Sequence, residues 1–80
     1  MIQVILYTTA GCHLCDLARN LLIKANQQIP LTIIDTEIGY DATLIDLYGT
    51  TIPVIEFNEK KQLNWPFELK DIIYDLSHVK

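Results

Sequence analysis

The chain has 80 residues, half of them apolar and one fifth charged; that length holds one core, and that composition argues against disorder as the overall state. Ten acidic residues against six basic ones give a net charge of −4, and Arg19, Lys24, Lys60, Lys61, Lys70 and Lys80 are scattered apart from the Lys60–Lys61 pair, so no nucleic-acid partner is expected. No stretch approaches the roughly 18 apolar residues of a membrane span. The opening Met1-Ile2-Gln3-Val4-Ile5-Leu6-Tyr7 has no positive n-region and too short an apolar run for a signal peptide, so a cytoplasmic monomer without membrane contact is expected. Residues 1–80 read as a single domain.

Val4 to Thr8 is a short apolar, β-branched run and reads as a buried strand. From Cys12 the period changes: Leu14, Leu17, Ala18, Leu21, Leu22 and Ala25 share a helical stripe opposite Asp16, Arg19, Asn20 and Lys24. The stripe fades at Asn26-Gln27-Gln28 and Pro30 closes the segment. Leu31 to Asp35 is a second strand, which completes a βαβ unit with parallel strands. Asp41 is placed to cap a short helix through Tyr48, with Gly49 as its stop. Pro53 introduces a third strand, Val54 to Phe57. Asn58-Glu59-Lys60-Lys61 is a polar turn, and Gln62 to Asn64 is a fourth strand. Pro66 suits the first position of a last helix whose stripe is Leu69, Ile72, Ile73 and Leu76. The order is β-α-β-α-β-β-α, an α/β class with a four-stranded mixed sheet flanked by helices.

Cys12 and Cys15 stand where the first strand turns into the first helix. In the cytosol thiols are kept reduced, so a close pair is more often catalytic or metal-binding than a structural staple. Thiolate, not thiol, attacks a disulfide, and the first turn of a helix offers unpaired N–H groups and the positive end of the macrodipole. Cys12 at the cap position is therefore the expected nucleophile. Cys15, one turn further in and more buried, is expected to resolve the mixed disulfide. His13 either supports the Cys12 thiolate and shapes the site or is a solvated first-turn residue. Asp16 and Arg19 are spaced to pair with each other. Tyr7 reads as a packing residue whose hydroxyl reaches water, Tyr40, Tyr48 and Tyr74 as core edges, and His78 and Lys80 as a solvated tail. Zinc is disfavoured, because Cys12, His13, Cys15 and a distant His78 do not make a closed ligand set; no metal is expected.

Thr8-Thr9-Ala10-Gly11-Cys12-His13-Leu14-Cys15, Thr51-Ile52-Pro53 and Leu63-Asn64-Trp65-Pro66-Phe67, in that order, resemble the glutaredoxin-like proteins of the thioredoxin-fold superfamily, in particular a small bacterial branch with C-H-L-C and W-P-F segments. The resemblance covers nearly the whole chain and implies a thioredoxin-like fold and a thiol–disulfide oxidoreductase. It further implies a cis Pro53 facing the cysteines, with the main chain of Ile52 pairing to an extended substrate. Thr51, Ile52, Pro53, His13 and Trp65 are the substrate-binding candidates, Trp65 as groove wall or as core. The implied partners are a disulfide-containing protein or small molecule, with glutathione or a thiol reductase as reductant and no bound cofactor. Three features depart from the family pattern. C-H-L-C replaces C-P-Y-C, no basic residue precedes Cys12, and Asn64-Trp65-Pro66 stands in place of a Gly-Gly turn. These departures motivate an alternative, a redox-quiet module that binds a peptide or partner beside Pro53. A third idea is metal or iron–sulfur binding through Cys12 between two subunits.

Overall fold

The computed structural model describes residues 2–58 and 61–78. The strands are β1 (Ile2–Thr8), β2 (Leu31–Glu37), β3 (Val54–Phe57) and β4 (Lys61–Asn64), and the helices are α1 (His13–Gln28), α2 (Ala42–Tyr48) and α3 (Leu69–His78). They form one four-stranded sheet in the order β2-β1-β3-β4. β1 runs parallel to β2 and antiparallel to β3, and β3 pairs antiparallel with β4. The expected element order and mixed sheet are present. Within the polar turn expected after β3, residues 59 and 60 lie outside the described residues, as does Lys80.

Alternation along the strands divides the apolar residues between two faces. Val4, Leu6, Ile55 and Phe57 face α1 and α3, where they join Ala18, Leu22, Ala25, Leu31, Phe67, Ile72 and Leu76 in the larger core. Ile5, Tyr7 and Val54 face the other way, with Ile38, Leu44, Tyr48 and Ile52. Register ties the faces together: Leu6 opposes Ile55 and Val4 opposes Phe57 on one side, while Tyr7 opposes Val54 on the other.

Several local expectations change. The buried line of α1 is Cys15, Ala18, Leu22 and Ala25. Leu14 and Leu17, placed on the stripe by periodicity, are 42% and 39% exposed; Cys15 takes the sheet-facing position they were expected to fill. Pro66 is not the first residue of α3, which begins at Leu69. The start is set instead by Asp71, whose carboxylate reaches back to accept the Glu68 N–H at 2.8 Å, half of a capping box. Upstream, the Trp65 N–H donates to the Pro53 carbonyl at 3.2 Å and the Phe67 ring is buried, so residues 65–68 serve as a crossing segment. Asp41 caps α2 as expected, accepting from the Thr43 and Leu44 amides at 2.9 and 3.2 Å. Gly49 does stop that helix, but with a right-handed φ of −56° rather than a left-handed one. Tyr40 and Tyr74 are 95% and 63% exposed, so neither edges the core. His78 is the last residue of α3, not a tail, and stacks on Tyr74.

Candidate active site

The sheet registers bring separate segments to one end of the molecule. Thr8, at the C-terminal end of β1, lies beside Glu37 of β2, and Tyr7 lies opposite Val54, the first residue of β3. Val54 in turn lies opposite Asn64, the last residue of β4. The turn 9–12, the loop 38–41, the segment 51–53 and residues 65–66 therefore leave the sheet at the same end.

Cys12 is the N-cap of α1, in an extended conformation (φ −81°, ψ 103°) reached through Gly11 at φ +81°, a left-handed value that favours glycine. Its sulfur accepts the Cys15 N–H at 3.1 Å. The two cysteines are disulfide-bonded with Cα atoms 5.2 Å apart, inside the range that a bridge allows. Cys15 is 1% exposed, whereas Cys12 is only partly covered. One cysteine is thus partly open to solvent with one amide on its sulfur, and the other is buried. His13 and Leu14 between them are exposed.

The turn carrying Cys12 is held from β2. The Glu37 carboxylate accepts the Ala10 N–H at 2.9 Å and the Gly39 N–H at 2.7 Å, and Ile38 N–H donates to the Thr8 carbonyl at 2.9 Å. The Gly39 amide, then the Thr9 hydroxyl and the Ala10 amide, hold the Glu37 carboxyl below its ordinary value. Arg19 pairs with Asp16 as expected, at 3.3 Å, and also with Asp35 at 3.1 Å.

Ile52–Pro53 is cis, as the resemblance implies, and Trp65–Pro66 is cis too. The Pro53 ring is fully buried. The Thr51 and Ile52 amides both donate to the Tyr48 carbonyl at 3.0 Å, so the Ile52 N–H does not point outward as expected. Tyr48 stacks on Tyr7 with ring centroids 4.2 Å apart. Its hydroxyl accepts from Gln62, which also donates to Glu56 at 2.8 Å; the Tyr7 hydroxyl reaches Glu56 at 3.5 Å. The Tyr7 hydroxyl is therefore bonded within the protein, and burial, then Tyr48 and the Glu56 carboxylate, push its pKa up to about 12. Trp65 is half-buried, edge-on to Phe67 and packed against the larger core.

Register and the Trp65–Pro53 bond thus bring Cys12, Cys15, Thr51, Ile52, Pro53 and Trp65 to one end of the sheet. Glu37 and Tyr48, which fix the two loops there, escape a reading of the sequence. Each has near neighbours as partners, but the contacts that tie it to the site, Glu37 to Ala10 and the Tyr48 ring to Tyr7, join residues distant in the chain.

Residues 3–77 match the family model of the Glutaredoxin-like domain (DUF836). Protein XcR50 from X. campestris is 30% identical with a TM-score of 0.86, over 96% of this chain and 99% of that one. Protein Ne2328 from Nitrosomonas europaea is 25% identical with a TM-score of 0.80, over 94% and 89% of the two chains. Thioredoxin O2 from Arabidopsis thaliana, in its oxidized state, shares the fold at 16% identity and a TM-score of 0.72, over 99% of this chain and 75% of its own. Among curated proteins none matches the sequence. With a thioredoxin-like fold and a cysteine pair at disulfide distance at the head of α1, the chain belongs to the glutaredoxin-like domain family.

Proposed function

We propose that this protein is a thiol–disulfide oxidoreductase whose reacting atoms are the sulfurs of Cys12 and Cys15. The Cys12 thiolate attacks one sulfur of a substrate disulfide, forms a mixed disulfide and expels the other sulfur as a thiolate. Cys15 then loses its proton and attacks Cys12 Sγ, which closes the Cys12–Cys15 bond and releases the second substrate thiol. The substrate gains two electrons and the protein loses them. Two further thiols, from glutathione or from a thiol reductase, restore the dithiol. The scheme uses no bound cofactor.

The observation that carries this reading is the asymmetry of the pair: Cys12 caps the helix and accepts an amide at 3.1 Å, while Cys15 is 1% exposed behind it. A disulfide-bearing protein or small molecule would dock beside Thr51, Ile52 and Pro53, with His13 and Trp65 at the margin. The Ile52 carbonyl is the main-chain group available there, since its N–H is engaged by Tyr48.

In the reduced protein, a thiol probe titrated against pH should modify Cys12 well below the ordinary thiol value of about 8.5, with Cys15 lagging. Cys15→Ser should accumulate a mixed disulfide and Cys12→Ser none. Equal and sluggish reaction of both thiols sinks the proposal. Turnover of a mixed glutathione disulfide, compared with turnover by a thioredoxin-type reductase, identifies the reductant.

A further inference from the structure

We infer that the disulfide this site accepts is positively charged, carrying amines or Lys and Arg flanks rather than carboxylates. The inference rests on the oxidoreductase reading and adds the charge class of its substrate.

Cys12 lies at the end of the sheet where the segments 8–16, 37–41, 51–53 and 64–68 enter or leave it. They contain Asp16, Glu37, Asp41 and Glu68 and no Lys or Arg; His13 is their one basic side chain. The cations that follow these segments along the chain are already engaged. Arg19 lies between Asp16 at 3.3 Å and Asp35 at 3.1 Å, and Lys70 lies 3.4 Å from Glu68. Asp16 sits one helical turn beyond Cys12, with its amide on the Cys12 carbonyl at 3.3 Å. Glu37 is pinned to the turn that presents Cys12 by the Ala10 and Gly39 amides. The Asp41 carboxylate is tied to the Thr43 and Leu44 amides at the same end of the sheet.

A substrate carboxylate arriving beside Cys12 therefore meets Glu37 and Asp41, whose partners are main-chain amides, while Asp16 and Glu68 are offset by Arg19 and Lys70. Among the described residues of these segments there is no Lys or Arg to receive it. The Ile52 amide, a main-chain donor that would otherwise face an anionic or peptide ligand, is bonded to the Tyr48 carbonyl. An ammonium or guanidinium group meets the opposite situation. Like-signed groups around a cleft raise the local concentration of the opposite charge and speed its encounter, and salt screens the effect over about 10 Å at 0.1 M.

The test uses the reduced protein and three small disulfides: cystamine (two ammonium groups), 2-hydroxyethyl disulfide (neutral) and dithiodiglycolate (two carboxylates). In each case two thiols of the small molecule form as the Cys12–Cys15 bond closes. Every rate is divided by the rate with dithiothreitol under the same conditions, which removes the intrinsic reactivity of each disulfide. The normalised rate for cystamine should exceed that for dithiodiglycolate by about tenfold near 10 mM salt, with the neutral compound between them, and the ratio should fall toward about one near 1 M. Ala10→Lys, at an exposed position whose amide bond to Glu37 is main-chain, should cut the low-salt ratio several-fold. A ratio of one or less at low salt, or one indifferent to salt, overturns the charge class and leaves the oxidoreductase reading standing. Failure of all three disulfides to oxidise the pair overturns both.

Discussion

Residue 12 caps α1 instead of belonging to it, and that single position separates the two sulfurs. A hydrogen bond to a charged group is worth about 1.5–3 kcal/mol. On the proposed reading, the Cys15 amide at 3.1 Å from Cys12 Sγ favours a thiolate at the outer cysteine over the inner one. Glu37 acts one step back, on the turn that aims it. Its carboxyl is held below the ordinary glutamate value, chiefly by the Gly39 amide. A depressed carboxylate contributes stability that is present above its unfolded pKa and is lost as pH falls through the folded value. The amide proton shifts of Gly39 and Ala10 should therefore titrate together below pH 4.5. Glu37→Gln should abolish that titration and loosen the turn. Independent titration of the two amides, or titration at an ordinary glutamate value, would contradict the clasp.

Among the helices, α2 buries the least and yet holds one wall of the site. Its seven residues include no fully buried side chain, and Ile45 and Leu47 are 45% and 61% exposed. Yet the carbonyl of its last residue, Tyr48, holds the Thr51 and Ile52 amides. Regions with few buried apolar contacts open first in the native state. The amides of Ala42–Tyr48, with those of Thr51 and Ile52, should exchange with solvent together and well before those of Leu6 and Ile55, measured by native-state hydrogen exchange. Protection of α2 equal to that of the central strands would refute the link. The cap of this helix is legible in the sequence because Asp41 acts on amides two and three residues away. Tyr48 as loop anchor is not, because its partner ring, Tyr7, is reached only after the sheet has formed. The same limit explains Leu14 and Leu17: periodicity gives a helix and roughly its apolar side, while the sheet decides which line of residues it covers, here the one through Cys15. It explains Pro66 as well. A proline near a helix is a local signal, but burial of Phe67 and the Asp71 cap fix where α3 starts.

For the whole molecule, the two faces of the sheet carry unequal loads. The face under α1 and α3 holds Val4, Leu6, Leu22, Ile55, Phe57 and Ile72 without solvent exposure, while the α2 face is closed by Tyr7, Ile38 and Val54 with half-buried neighbours. A chain of this size has a net stability of about 0.05–0.15 kcal/mol per residue, so one cavity in the larger core consumes much of the margin. Leu22→Ala should cost about 2–5 kcal/mol. With each kcal/mol worth roughly 4–8 °C in a domain of this length, the oxidised protein should melt tens of degrees lower. Leu44→Ala, at a half-buried position on α2, removes the same atoms from a site that water already reaches. It should cost less than half as much, since the solvent-open side leaves no sealed cavity. Denaturant melts of both variants with the disulfide intact decide the matter. Equal losses would mean that the small cluster bears as much of the fold as the large one, and the α2 face would then be too firmly set to open ahead of the central strands.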